Sequence, residues 1–169
     1  MAAEGSTGPR GPIVVGVDGS QTSVAALRWA MAEAGPTGRE VVAVTAWTHP
    51  PPGESGAPAD PVEEVAAAHR RDLDALVRKT ARPGVAVRAE AVEGEAKDVL
   101  LDRARGASLL VLGSHGHGMM LRALVGSVCG YCLHHATCPV VIVPARPGDP
   151  DAGAGPALAT AEYLPGSIV

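Results

Sequence analysis

The stretch Val111–Val128, V-L-G-S-H-G-H-G-M-M-L-R-A-L-V-G-S-V, joins the end of an apolar strand to a second ordered segment through a glycine-rich loop. The strand ends at Gly113, Gly116 follows after two residues, and Gly126 and Ser127 open the next segment. Glycine has no Cβ, so it adopts positive φ and lets a ligand lie against the backbone. Amides freed in such a turn bind anions, and a helix N-terminus adds the positive end of its dipole. We therefore predict that G-x2-G-x9-G-S clamps a polyphosphate, with Ser127 as helix N-cap and hydroxyl donor, whereas two ordinary turns are the alternative interpretation.

Apolar runs along the chain have the length and spacing of strands that alternate with helices. The predicted strands are Ile13–Ser20 (I-V-V-G-V-D-G-S, ending in an acid), Val41–Trp47, Val85–Val92, Ser108–Leu112 and Val140–Val143. Parallel strands buried on both faces read as unbroken apolar runs, and alternating strands and helices are joined by right-handed crossovers. We therefore predict an α/β fold: a single doubly wound, Rossmann-like domain with a five-stranded, mostly parallel sheet flanked by about four helices.

Helix boundaries are predicted from capping residues and from the periodicity of the apolar residues. Ser20 caps a first helix that Gly35 closes, and the inward face of this helix comprises Val24, Leu27, Met31 and Ala34. Asp60 caps a second helix with Pro61 at its first position, and its inward stripe comprises Val62, Val65, His69, Leu73 and Leu76. Two shorter helices complete the prediction, one around Asp98–Arg105 and one over Ser127–His135.

Length, composition and charge exclude several classes of protein. The chain has 169 residues with no Phe, two Trp and two Tyr, so one domain with a core of Val, Leu, Ile and Ala is expected. A formal net charge of −4 and the lack of a long basic run argue against a nucleic-acid partner. The N-terminus lacks signal-peptide features, and no apolar run approaches the roughly 18 residues of a membrane span. We expect a cytoplasmic protein without nucleic-acid or membrane partners.

Composition also divides the chain into three segments. Residues 1–11 and 145–169 are rich in small residues and Pro and are predicted to be flexible, whereas residues 12–144 form the α/β domain. Within the domain, His49–Pro61 reads H-P-P-P-G-E-S-G-A-P-A-D-P. Proline has no N–H to donate in a sheet and does not fit the interior of a helix, so this run predicts a long, exposed loop.

Between about Pro12 and Pro144, the chain resembles the universal stress protein family. The residues that carry the resemblance are Ile13–Ser20, Val41–Trp47, the glycine motif and Cys138–Pro144 (C-P-V-V-I-V-P), in this order and at these spacings. In the nucleotide-binding branch of that family, the glycine motif holds the phosphates and ribose of ATP or a related adenine nucleotide. The resemblance therefore implies an adenine nucleotide as the regulatory ligand of a stress-response protein.

The resemblance also implies which residues form the site. Asp18 approaches the adenosine part, the backbone at Ala46 meets adenine, and the phosphates and ribose contact Gly113, Ser114, His115, Gly116, Gly126, Ser127 and the Val128 amide. The predicted strands support this, because Asp18, Ala46 and Gly113 all lie at carboxyl ends, where open parallel sheets bind ligands at the topological switch point. If ATP is bound, we expect Mg²⁺ or Mn²⁺ to bridge its phosphates, although no acidic cluster marks a protein-only metal site.

Other features of the loop keep a second interpretation open. Neither of the two lysines lies in a Walker-type G-x4-G-K-[ST] motif, and no nucleophile–base pair or G-x-S-x-G elbow is visible. We therefore expect no enzyme, with at most slow, incidental ATP hydrolysis. His117, Met119 and Met120 stand where the nucleotide-binding branch prefers basic or small residues. They favour the alternative, a nucleotide-free dimeric signalling or interaction module of the same fold.

Three cysteines lie near the C-terminal end of the predicted domain. Cys129-x2-Cys132 is followed by His134, His135 and Cys138, a spacing that can ligate zinc or form a redox pair. Cys129 and Cys132, however, lie one turn apart on the side of the helix that continues Val128. Since free cysteine often behaves as a small buried hydrophobe, we predict structural packing for these thiols and no cytosolic disulfide.

The last predicted strand, Val140–Val143, suggests how the chain assembles. At an edge of the sheet its unpaired amides and carbonyls would be an aggregation hazard unless they were covered. Pairing with a second copy across a two-fold axis covers them, and the resemblance implies dimerisation through the same strand. We predict a homodimer, with a strand inside the sheet or covered by residues 145–169 as the alternative.

Overall fold

Five strands and four helices alternate along residues 11–49, 61–114 and 126–144, the parts of the chain that the computed structural model describes. The strands are β1 (Ile13–Gly16), β2 (Val41–Trp47), β3 (Val87–Glu93), β4 (Leu109–Gly113) and β5 (Val140–Val143). The helices are α1 (Gln21–Thr37), α2 (Val62–Thr80), α3 (Ala96–Ala104) and α4 (Ser127–His135). No helix in these ranges is both long enough and apolar enough to cross a membrane.

The strands form one sheet in the order β3-β2-β1-β4-β5, and every pairing is parallel. β1 lies at the centre, with Ile13 opposite Val41 on one side and opposite Leu109 on the other. The chain adds β2 and β3 on one side of β1 and then returns to add β4 and β5 on the other. The order therefore reverses between β1 and β4, which makes the carboxyl ends of these two strands the topological switch point. The predicted doubly wound sheet is confirmed, and its pairing is parallel throughout.

Side chains that alternate along each strand supply two hydrophobic cores, one on each face of the sheet. Val15 packs with α1 and α2, whose fully buried residues include Leu27, Met31 and Leu73. Its neighbour Val14 points to the other face, into a core shared with α3 and α4. The two faces are thus covered by two helices each, as unbroken apolar strands require.

The start of α1 is as predicted, but its end is not. The side chain of Ser20 accepts a hydrogen bond from the Ser23 N–H, which confirms Ser20 as the N-cap. The helix continues past Gly35 to Thr37, and Gly38 is the C-cap residue with φ +63°. The left-handed conformation that ends a helix therefore falls at the second glycine, and the N–H of Gly38 donates back to the carbonyl of Gly35.

Other boundaries also differ from the prediction: β1 ends at Gly16 rather than Ser20, and β4 spans Leu109–Gly113 rather than Ser108–Leu112. Pro61 is the N-cap of α2 rather than its first helical residue, and the predicted cap Asp60 lies outside the described residues. Val62 begins α2 with 43% of its surface exposed, so it does not belong to the inward stripe. β3 begins at Val87 rather than Val85, and α3 begins at Ala96. Terminal residues have few packed neighbours, so apolar periodicity constrains them least.

Candidate functional site

The carboxyl end of β1 leads into a tight turn that presents Asp18. The N–H of Ser20 donates to Asp18 Oδ1 at 2.9 Å, and the N–H of Asp18 donates to Ser23 Oγ at 3.3 Å. Gly19 between them has φ +82°, a conformation that glycine adopts without strain. The exposed Asp18 carboxylate is thereby anchored at the switch point, beside the first turn of α1.

Beside Asp18, the carboxyl end of β2 is tied to that of β1. Thr45 Oγ1 donates to the carbonyl oxygen of Val17 at 2.7 Å, and this hydrogen bond is buried. Ala46 follows and packs partly against the α3–α4 core, opposite Val92 of β3. The predicted nucleoside contacts therefore share one edge of the sheet, and Ala46 lies on the face that α3 and α4 cover.

Gly113 ends β4 against the first turn of α1. A Cβ at this position would lie 2.6 Å from the carbonyl carbon of Thr22 and 2.7 Å from the backbone nitrogen of Ser23. Neither Gly113 nor Gly126 has positive φ, so the expectation of left-handed backbone at these two glycines is wrong. The missing side chain of Gly113 is required by the protein's own backbone, because α1 begins at that place.

Consecutive backbone groups at the end of β4 are bonded to α4 and to β5. The thiol of Cys129 donates to the carbonyl oxygen of Gly113 at 2.9 Å, and the N–H of Ser114 donates to the carbonyl of Val143 at 2.9 Å. The N–H of Gly126 donates to the carbonyl of Ser114 at 3.0 Å. Ser114 and Gly126 therefore lie side by side at this edge of the sheet. The predicted site residues His115 and Gly116 lie between them in the sequence, outside the described residues.

The return of the chain at Gly126 places the N-terminus of α4 at this edge. Gly126 is the N-cap with φ −57° and ψ 157°, and no side chain caps the helix. The prediction of Ser127 as N-cap is wrong by one residue, because Ser127 already has helical backbone. The first hydrogen bond of the helix runs from Gly130 to Gly126, so the amides of Ser127, Val128 and Cys129 have no acceptor within the helix. Free amides and the positive end of the dipole at a helix N-terminus favour a nearby negative charge.

Electrostatics also link Asp18 to the start of α4. Burial raises the pKa of the Cys129 thiol to about 11, and the neighbouring Cys132 thiol and the Asp18 carboxylate add to that rise. Burial likewise raises the pKa of Cys132 to about 11, with Cys138 contributing. Both thiols of α4 are therefore protonated and poorly nucleophilic at neutral pH. Cys129 and Cys132 are packed in the α3–α4 core, as predicted.

No group of three or more potential metal ligands is present within residues 11–49, 61–114 and 126–144. Trp47 is buried, and its ring stacks on His69 of α2 with centroids 5.5 Å apart. This stack lies on the α1–α2 face of the sheet, whereas Ala46 faces the opposite side. Trp47 is therefore a packing residue at the edge of the candidate site.

Two contributions to the site were missed in the sequence. The first turn of α1 is the backbone that fits against Gly113, and Cys129 was assigned to packing alone. A signal for Cys129 was available, because the Cα–Cβ bonds of a helix tilt towards its N-terminus. A polar side chain in the first turn of α4 therefore points back towards the strand that precedes it.

Most of the chain matches one protein family. Residues 9–144, which contain the whole sheet and the glycine motif, match the universal stress protein family. The chain belongs to the universal stress protein family. A universal stress protein of Mycobacterium tuberculosis is 34% identical over 136 residues, which cover 78% of this chain and 44% of that relative. The chain spans about half the length of the curated relatives it matches.

Solved structures of the family have the same fold. A universal stress family protein from Burkholderia pseudomallei is 33% identical with a TM-score of 0.62, and the match covers 83% of this chain and 100% of that one. The universal stress protein from Archaeoglobus fulgidus in complex with dAMP is 25% identical with a TM-score of 0.57, over 80% of this chain and 98% of that one. The second of these proteins holds an adenine nucleotide.

Proposed function

We propose that this chain binds an adenine nucleotide, specifically ATP, as a regulatory ligand at the carboxyl edge of the sheet between β1 and β4. The hydrogen bond from Gly126 to Ser114 is the observation that supports this most directly. It brings the uncapped first turn of α4 to the topological switch point, where open parallel sheets bind ligands. The dAMP complex of the Archaeoglobus fulgidus relative supports the choice of an adenine nucleotide.

In this proposal the edge divides into a phosphate side and a nucleoside side. The phosphates and ribose contact the glycine motif, that is Gly113, Ser114, His115, Gly116, Gly126, Ser127 and the amide of Val128. Asp18 accepts hydrogen bonds from the adenosine part, and the backbone at Ala46 meets adenine. Amides in the first turn of a helix donate to phosphate oxygens and need no lysine to do so.

The nucleotide is a ligand in this proposal and not a substrate for fast turnover. Mg²⁺ or Mn²⁺ would be held mainly by the phosphates of ATP, since Mg²⁺ commonly binds through substrate phosphates with few protein carboxylates. We further propose that the protein is cytoplasmic and, because its composition is acidic rather than basic, that it has no nucleic-acid partner. Hydrolysis of ATP by the purified protein is expected to be slow at most.

A matched pair of substitutions at Gly126 tests the phosphate clamp. A Cβ there would lie 3.6 Å from the Ser114 carbonyl oxygen, an ordinary contact, and the backbone is open to any L residue. Asn and Asp are both favourable N-cap residues, so Gly126→Asn and Gly126→Asp should fold at least as stably as the wild type. Only Asp adds a negative charge at the proposed phosphate position.

We expect Gly126→Asp to bind ATP more than about tenfold more weakly than Gly126→Asn, because like charges a few ångströms apart repel by several kcal/mol near a protein surface. Binding is measured by calorimetry and by the rise in melting temperature with ATP, AMP and cyclic AMP, since a ligand of the native state stabilises it. Equal ATP affinities in the two variants would show that the phosphates bind elsewhere. A wild-type melting temperature that does not change in millimolar ATP would favour the nucleotide-free signalling module instead.

We further propose that the protein forms a homodimer through Val140–Val143. β5 is an edge strand, and its four apolar residues are all half-buried in the single chain. The opposite edge strand, β3, carries charges instead, with Arg88 paired to Glu90. Charged side chains protect a sheet edge from pairing, so the β5 edge is the one suited to a second copy.

Substitution of Ile142 by Lys should shift the dimer towards the monomer in light scattering at micromolar concentration. Val92→Lys is the matched control, because Val92 packs against the same core from the opposite edge strand and should leave the dimer intact. A wild-type protein that is monomeric under these conditions would contradict the proposal, and so would equal dissociation of both variants.

A further inference from the structure

The peptide group between Gly113 and Ser114 is bonded at both of its polar ends. Its carbonyl oxygen accepts from the Cys129 thiol, and its N–H donates to the carbonyl of Val143, each at 2.9 Å. A peptide plane has one rotational degree of freedom about its Cα–Cα axis, and two bonds of opposite direction fix it. α4 and β5 therefore set together the direction in which the chain leaves β4.

The Cys129 thiol is suited to remain in this hydrogen bond. The residue is only 6% exposed, and burial raises its pKa to about 11, so the thiol keeps its proton across physiological pH. A thiolate could not donate to a carbonyl oxygen, whereas a protonated thiol can. On the other side of Gly113, the backbone of α1 lies too close for a Cβ to fit.

The neighbouring Cys132 provides a natural comparison. It lies one turn further along α4, has no exposed surface and carries the same raised pKa of about 11. Among the described residues, no hydrogen bond is found between its thiol and β4. Cys132 therefore fills volume in the same core without a hydrogen bond to the strand end.

We propose that Cys129 is a positioning residue of the nucleotide site: its thiol holds the Gly113–Ser114 peptide so that the end of β4 and the first turn of α4 meet the phosphates in a fixed geometry. This role rests on the function proposed above. Cys129 acts through the backbone and has no contact with the ligand in this assignment. Cys129 thereby orders both glycine-bearing ends of the site, the end of β4 and the start of α4.

Amide hydrogen exchange without ligand tests the positioning role directly. The reporters are the N–H of Ser114 and the N–H of Gly126, whose hydrogen bonds depend on the orientation of the strand end. Cys129→Ala and Cys129→Val remove the donor, and Val does so without leaving a cavity. Both should speed exchange at the two amides by about threefold to tenfold, the range that corresponds to the net contribution of one hydrogen bond. Cys129→Ser should restore slow exchange, and Cys132→Ala should not change it.

ATP titration is the second measurement, on the same set of proteins. The affinity should fall by about threefold to tenfold in Cys129→Ala and Cys129→Val and stay within about twofold of the wild type in Cys129→Ser and Cys132→Ala. Equal exchange and equal affinity in Cys129→Val and the wild type would overturn the positioning role. A wild-type protein that binds no adenine nucleotide would overturn the proposed function, and the exchange rates then decide the role of Cys129 by themselves.

Discussion

Adding one methyl group at Gly113 should destabilise the fold strongly, whereas the same addition at Gly130 should stabilise it. The Cβ of Gly113→Ala would lie 2.6 Å from the carbonyl carbon of Thr22 and 2.7 Å from the backbone nitrogen of Ser23. Both of these atoms belong to the backbone of the first turn of α1, so no side-chain rotation relieves the contact. Gly130 lies inside α4, and a Cβ there would meet nothing within 4 Å.

The magnitude follows from these distances. The turn of α1 must retreat by about 1 Å for the new Cβ to reach an ordinary contact distance. Overpacking of this kind costs about 1–3 kcal/mol, and the upper end is expected because the opposing atoms are backbone. Replacing a glycine inside a helix by alanine stabilises it by about 0.5–1 kcal/mol. The two variants should therefore differ by about 2–4 kcal/mol in free energy of unfolding.

Urea unfolding followed by circular dichroism measures this difference. Equal slopes of free energy against urea concentration in the two variants would show that the change lies in stability and not in the compactness of either state. If Gly113→Ala unfolded at the same urea concentration as the wild type, the close approach of α1 to the end of β4 would be wrong. The same conclusion would follow if Gly130→Ala lost as much stability as Gly113→Ala.

Two further predictions concern titratable groups buried in the domain. Burial lowers the pKa of His69 below 6.5, against an opposing effect of Asp72, so the unfolded chain binds a proton more readily than the folded one. The stability that His69 contributes is present above pH 6.5 and is lost as the pH falls through its lowered pKa. In urea unfolding, His69→Leu should therefore lose less stability than the wild type between about pH 7.5 and about pH 5. An equal loss in the two proteins would contradict this. Burial raises the pKa of all three cysteine thiols, to about 11 for Cys129 and Cys132, but only Cys138 is partly exposed. A disulfide reagent at about pH 8 should therefore label Cys138 first and the other two only after unfolding. Rapid labelling of all three thiols in the native protein would be the opposite result.

Some boundaries of this fold are readable in the sequence because the signals are local. β2 spans Val41–Trp47 and β5 spans Val140–Val143, as predicted, since each is a mainly apolar run between polar or proline residues. The N-cap Ser20 was also found, because a capping side chain bonds a backbone group only three residues away. The resemblance to the universal stress protein family rested on the same local motifs at their spacings.

The position of each predicted site residue at a strand end was likewise within reach of sequence reasoning. Asp18, Ala46 and Gly113 all follow apolar runs, and parallel strands bring such ends to one edge. What periodicity could not supply was the order of the strands, which puts β5 at an edge and the switch point between β1 and β4. Strand order depends on pairings between residues distant in sequence, and the crossover rules leave several orders open.

The detailed chemistry of the site was decided by tertiary contacts alone. A glycine motif suggests a ligand, but the space beside Gly113 is filled by α1, and only the packing of two elements distant in sequence determines this. Cys129 reads as a small apolar residue in the sequence, yet its thiol bonds the carbonyl of Gly113, sixteen positions away. The sequence by itself determined the main elements, the family and the sheet edge at which the candidate site residues meet. The tertiary structure decided which backbone groups meet there, because close packing and hydrogen-bond direction are properties of residues that are far apart along the chain.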